Sequence, residues 1–258
     1  MNTQILEKIL EPTEFKCLNG IHVNPNQNEK MKFSFSNFST HFDEHINKSI
    51  RGFSDLFNDV VSLSRYFIEE DTTVLDLGCS QGTLLKQIEE TNDQVSSTKF
   101  IGVDINEDFK PHWSKKRNLS FVTDDITKMK FPNNLSFVSS IFTLQFLPHK
   151  VRHNLLKKIY DNLILGGSLT IGTKILSPNS KLQQMFEFIY YDYKKKSFSE
   201  KQILDKEVEL RHLSKLITEN QLTTQLGSIG FKNIECFWRN HNFIGLTMTK
   251  ESDGEVMV

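Results

Sequence analysis

The residues best placed to do chemistry are three acids and a pair of glycines in Val74-Leu-Asp-Leu-Gly78-Cys-Ser-Gln-Gly82-Thr-Leu-Leu85 and the segments after it. An apolar run carrying Asp76 ends in a turn with Gly78 and Gly82, and a helix-competent stretch follows. Such a turn lets backbone approach a ligand closely and aims N–H groups at it. Lys99-Phe-Ile-Gly-Val-Asp104 is a second apolar run ending in an acid, placed where a carboxylate of a doubly wound sheet accepts ribose hydroxyl protons. Leu119 to Thr123 is a third run, and Asp124-Asp125-Ile126 follows it. There Asp125 can accept from an adenine amino group. The constellation is a nucleoside site.

The spacing separates two nucleoside classes. Dinucleotide sites use G-x-G-x-x-G, in which tight glycines admit a pyrophosphate. Here the pattern is Gly78-x-x-x-Gly82 with no third glycine and Asp76 in front. S-adenosylmethionine (SAM) has no phosphate, and its amino-acid tail carries an ammonium that Asp76 can meet. SAM is the expected cofactor, held by Asp76, Gly78, Gly82, Asp104 and Asp125.

Elements to position these groups can be read around them. Between Phe42 and Glu69, Ile46, Ile50, Phe53, Leu56, Phe57, Val60 and Val61 recur every three or four residues, a helical period broken at Arg51-Gly52. The nucleoside core runs from about Thr73 to Thr173, with Phe137–Leu144 and Ser168–Thr173 as its fourth and fifth strands. Val151 to Leu165 reads as an amphipathic helix stopped by Gly166-Gly167. Leu182 to Leu216 predicts one or two helices, a cap spanning about 180–217. Two alternating runs, 230–238 and 242–248, predict a closing antiparallel pair. The expected fold is α/β, a doubly wound class I SAM-dependent methyltransferase (Rossmann-like) sheet with N-terminal helices and an inserted helical cap. Its domain covers 42–250, between a partly irregular arm (1–41, with Pro12 and Pro25) and a tail (251–258).

Composition narrows the partners. Lys plus Arg total 31 against 32 for Asp plus Glu in 258 residues, a net charge of −1. That balance lacks the basic footprint of a nucleic-acid binder. Cys17, Cys79 and Cys236 are too widely spaced for a disulfide framework or a metal quartet, and the histidines show no ligand spacing, so no metal is expected. No apolar run approaches about 20 residues, the length of a membrane span. Met1-Asn-Thr-Gln-Ile lacks the basic and apolar segments of an export signal, so the expected compartment is the cytoplasm.

Phe142-Thr-Leu-Gln-Phe-Leu147, Lys158-Ile-Tyr-Asp-Asn-Leu-Ile-Leu-Gly-Gly-Ser-Leu169, Gly78-Cys-Ser80 and Ser49-Ile-Arg-Gly-Phe-Ser54 resemble the carboxy-S-adenosylmethionine synthase family. The resemblance covers about Phe42 to Met248. It implies the class I methyltransferase fold, a homodimer, and synthesis of carboxy-SAM from SAM and prephenate in wobble-uridine tRNA modification. It also implies that Gly78, Cys79 and Ser80 line the amino-acid end of the cofactor. Asp104, Ile105 and Asn106 would flank the ribose and adenine, and Asp125 with Ile126 the adenine ring.

Three positions depart from the family pattern. Phe53 stands for a tyrosine and Ile141 for an asparagine, both at positions expected to contact the cofactor, and Glu207 for an arginine that receives the transferred carboxylate. Unit charges about 4 Å apart interact by roughly 4 kcal/mol at an effective dielectric of 20, so that last exchange turns attraction into repulsion of similar size. Arg211, one helical turn on, and Arg239 can restore the charge.

These departures favour methyl transfer from SAM to a small-molecule acceptor. The alternatives are carboxy-SAM synthesis itself and a non-catalytic SAM-binding protein. In direct methyl transfer the protein aligns the acceptor and excludes water. The acceptor pocket is expected from the N-terminal helices and the cap, lined by Phe53, Tyr190, Tyr191, Arg211, Arg239 and His241. Tyr190, Tyr191 and His241 are the candidate general bases, and Glu207, Arg211 and Arg239 the candidate substrate contacts.

Overall fold

The computed structural model describes residues 42–252, so the expected N-terminal arm and 253–258 of the tail lie outside the described residues. The helical period of the N-terminal segment resolves into α1 (Phe42–Ser49) and α2 (Phe53–Ser64), with the break at Arg51-Gly52 where the sequence places it. Five strands follow in chain order: β1 (Thr73–Leu77), β2 (Lys99–Asp104), β3 (Leu119–Thr123), β4 (Leu135–Ile141) and β5 (Leu163–Lys174). Between them lie α3 (Thr83–Thr91) and α4 (His149–Asn162). The cap is two helices, α5 (Ser180–Lys194) and α6 (Glu200–Arg211), and α7 (Glu219–Ile229) leads into the antiparallel pair β6 (Lys232–Asn240) and β7 (Phe243–Thr249).

The seven strands order as β3-β2-β1-β4-β5-β7-β6. The first five are parallel, and β7 joins β5 antiparallel. Strand order reverses between β1 and β4, the crevice where ligands of such sheets bind. Both strands are buried almost throughout, as continuous apolar runs covered on two faces must be. Leu155, Leu156 and Ile159 of α4 and Leu222, Leu226 and Ile229 of α7 pack one face. Leu56 and Val60 of α2 and Leu84, Leu85 and Ile88 of α3 pack the other. Each such side chain contributes about 1.5–3 kcal/mol relative to exposure. Helices α6 and α7 open with capping boxes, Ser199 with Gln202 and Thr218 with Gln221, which satisfy end N–H groups reciprocally.

Two boundaries differ from the sequence expectation. Gly166-Gly167 does not stop the helix. Helix α4 ends at Asn162 and β5 starts at once, running through both glycines. The register with β4 shifts between Leu135 and Phe137, and Gly166 (φ +78°) donates its N–H to Lys250, so the pair serves a strand irregularity. Strand β4 ends at Ile141, three residues early, because Phe142 takes φ +56° and a 3-10 turn covers Leu144–Phe146.

Candidate functional site

The turn after β1 is built by close approach. Gly78 sits at φ +81°, and a Cβ there would lie 2.0 Å from Thr143 Oγ1, just past β4. Gly82, at φ +76°, opens α3, and its Cβ would lie 2.4 Å from the Phe121 ring. The N–H groups of Gly78 and Cys79 both donate to the Val103 carbonyl, at 2.8 and 3.0 Å, tying the turn to β2. Asp104 finishes the tie: Oδ2 accepts from the Ser80 N–H and Oδ1 from the Asn106 N–H, both at 2.9 Å.

Two buried carboxyls therefore face one crevice. Asp76 is 2% exposed and accepts from Ser139 Oγ at 2.7 Å. Burial pushes its pKa up to about 7 against that hydrogen bond, with Asp104 adding repulsion. Burial also raises Asp104. A ligand ammonium would relieve both. Burial raises the Cys79 thiol as well, which keeps it protonated and makes it a wall rather than a nucleophile. Of the two residues expected at the adenine, Ile105 is 70% exposed just past β2, whereas Ile126 belongs to the core. Asp125 follows β3 as expected, but Oδ1 already accepts from Thr127 and Oδ2 pairs with Lys128 at 3.1 Å, so it also stiffens its own turn.

A cavity of about 190 Å³ lies where β5 ends and β7 begins, lined by residues of α5. Arg51, Lys174 and Lys196 line it against Glu187 and Asp192, with Tyr190, His241 and Phe243 among its other walls. One positive charge is in excess. Aromatic rings join cavity and crevice: Phe53 to Phe142 at 6.1 Å, Phe142 edge-on to Phe243 at 5.8 Å, and Phe243 to Tyr190 at 5.3 Å. The Tyr190 ring has two ammonium groups 5.0 Å from its centroid, those of Lys174 and Lys194.

The structure sorts the sequence candidates. Tyr190 and His241 line the cavity, while Phe53 and Ile141 pack in the core that backs it. Burial pushes the Tyr190 hydroxyl far above its ordinary range, so it holds its proton and makes a poor base. Tyr191, also raised, meets Phe188 edge-on and Tyr190 at a tilt, outside the cavity wall. Arg211 ends α6 on the exposed surface. Arg239 pairs with Glu219 of α7 at 2.5 Å, on the side of β6 away from the cavity. The cations that are present, Arg51, Lys174 and Lys196, were missed as a group: Arg51 sits in the Ser49–Ser54 segment that carries the resemblance, but the three lie far apart in sequence and no spacing links them.

Glu207 also reads differently in place. Its Oε1 is buried without a hydrogen-bond partner and lies 3.9 Å from the ammonium of Lys194, a side chain only 5% exposed. The expected repulsion is therefore offset by an adjacent cation. Lys194 is itself lowered by burial, with Glu207 acting in the opposite direction. Among the described residues no cluster of His, Cys, Asp and Glu could hold a metal ion, and no helix is long and apolar enough to cross a membrane.

A methyltransferase-domain family model matches residues 74–167, the segment that holds the glycine turn and all three acids. The carboxy-S-adenosyl-L-methionine synthase of Staphylococcus epidermidis is 27% identical over 222 residues, 84% of this chain and 96% of its own length. That of Nautilia profundicola is 28% identical over 208 residues, covering 78% and 87%. Among solved structures, human N-acetylserotonin methyltransferase in complex with SAM superposes with a TM-score of 0.55 at 18% identity, over 84% of this chain and 56% of that one. The N-methyltransferase NodS of Bradyrhizobium japonicum, in complex with S-adenosyl-L-homocysteine, gives 0.57 at 11%, over 84% and 97%. The chain thus matches a methyltransferase-domain model over residues 74–167, has the fold of class I SAM-dependent methyltransferases, and over most of its length is similar to carboxy-SAM synthases.

Proposed function

We propose that this protein converts SAM to carboxy-SAM, using a carboxyl group from a small anionic donor seated in the cavity. The observation that carries this reading is the cation excess at Arg51, Lys174 and Lys196, ring-linked to the cofactor crevice, in a chain whose curated relatives are named for that reaction. The pairing of Glu207 with Lys194 supports this reading, because the adjacent ammonium offsets the repulsion that Glu207 alone would exert.

The residues fit SAM. Asp76 offers a buried carboxylate for the ammonium, the Gly78 turn leaves no Cβ in the way, and Ile105 presents an apolar face for adenine. Bound SAM supplies a methyl carbon activated by its sulfonium. The chain's part is to orient that carbon toward the cavity, hold the donor by Lys174 and Arg51, and exclude water with the Phe142–Phe243–Tyr190 wall. The protein acts in this reading as a cytoplasmic homodimer, supported by exposed Met185 and Phe188 on α5 and Leu204 and Val208 on α6.

A second reading, methyl transfer to a small acceptor, is favoured by Phe53, Ile141 and Glu207, where the family's hydroxyl, amide and guanidinium are absent. Mass spectrometry of the bound nucleoside after incubation with SAM and prephenate separates the two. A prephenate-dependent species heavier than SAM by one carbon dioxide supports carboxyl transfer. SAM or S-adenosylhomocysteine alone leaves methyl transfer. A protein that binds neither is not a SAM enzyme.

A further inference from the structure

Trp113 follows the 3-10 turn Glu107–His112, beyond β2 and outside every motif of the cofactor site. Its indole N–H nevertheless donates to the carbonyl of Ser80, at 2.8 Å, across 33 residues of sequence. Ser80 is in the left-handed region at φ +48°, a conformation strained for a non-glycine residue. It is held from both sides, since its N–H donates to Asp104 Oδ2. The Trp113 ring stacks on Phe121 at 5.6 Å and 16°. Lys86 of α3 adds a third tie, donating to the His112 carbonyl at 2.7 Å and the Gln81 carbonyl at 3.3 Å. In a trans peptide the C=O and N–H point in opposite directions, so fixing the Ser80 carbonyl fixes the plane of the 80–81 peptide in the turn.

We propose that Trp113 is a positioning residue for the cofactor: with Lys86 it braces the strained Ser80 turn in the geometry that receives the amino-acid end of SAM. The proposal rests on reading this crevice as the SAM site. The brace acts before ligand arrives, so its loss lowers affinity without unfolding the protein.

Calorimetric titration with S-adenosylhomocysteine, beside melting of the unliganded protein, tests it. Trp113→Phe keeps an aromatic ring beside Phe121 and removes the donor with the pyrrole ring that carries it. It should weaken binding roughly tenfold, with the melting temperature within about 2 °C of wild type. Lys86→Met should give a smaller loss in the same direction. Glycine reaches φ > 0 without strain, so in a Ser80→Gly background the Trp113→Phe loss should shrink to less than about threefold. Unchanged affinity in Trp113→Phe overturns the brace, as does a full loss persisting in the Ser80→Gly background. If Trp113→Phe does not fold, Lys86→Met decides: weaker binding at unaltered melting supports the brace, and wild-type binding overturns it. Wild-type protein that binds neither SAM nor S-adenosylhomocysteine overturns the cofactor reading and the brace with it, whereas wild-type binding with an indifferent Trp113→Phe overturns the brace alone.

Discussion

The crevice and the cavity are built by opposite means. The crevice gathers its groups from consecutive strand ends, Asp76 to Asp125, and fixes them with backbone hydrogen bonds such as Gly78 and Cys79 to Val103. The cavity draws Arg51 from the α1–α2 break, Lys174 from the end of β5, Lys196 from beyond α5 and His241 from the β6–β7 turn, and its walls are long side chains. One region is acidic and rigid, suited to a fixed cofactor. The other is cationic and aromatic, suited to a small anion.

The largest test of that contrast is Gly78→Val. The added atoms meet Thr143 at 2.0 Å from backbone already at positive φ, so binding of S-adenosylhomocysteine should fall below detection by calorimetry. Lys174→Ala should instead leave cofactor affinity unchanged and raise KM for the anionic substrate roughly tenfold, by loss of one charge-assisted contact. A cofactor-affinity loss in Lys174→Ala would break the division between the two regions.

The next effect is a pH dependence with two opposed slopes. Asp76 titrates near 7 in the fold and near 3.8 unfolded, so between those values the folded state binds the extra proton. Stability of the unliganded protein should fall as pH rises from about 4 to about 7 and then level. Affinity for SAM should rise over the upper part of that range, because the ammonium favours the ionised carboxyl. Asp104, also raised, adds to both slopes, and Asp76→Asn should remove the Asp76 share, as melting and titration curves from pH 5 to 8 would show. The smaller tests concern pairs. Glu207→Gln should lower the melting temperature by roughly 2–4 °C by leaving Lys194 buried without its counter-charge. Arg239→Ala, which breaks only an exposed pair, should change neither melting nor KM measurably.

The same contrast explains what could be read from the chain alone. The sheet, the two-helix cap, the closing hairpin and the acids of the crevice follow from local periodicity and from spacings of a few residues. Arg239 was expected to line the acceptor pocket and to stand in for the family's arginine, yet strand alternation sends it to the α7 side while Asn240 and Asn242 line the cavity. Gly166-Gly167 has the composition of a helix stop, and only the register against β4 shows that it serves a strand. The charge of Glu207 was legible, but its neighbour Lys194 was not, since the pair crosses between two helices whose packing no short pattern encodes.

Chain order has one more consequence. The crevice is complete by Thr143, and the cap helices occupy one uninterrupted stretch, Ser180 to Arg211. Inheritance can therefore act on the two halves separately: a single recombination event, or drift confined to one exon-sized cassette, exchanges the cap over the cavity while the cofactor half passes on intact. Relatives of this chain should diverge in what they accept long before they diverge in what they carry.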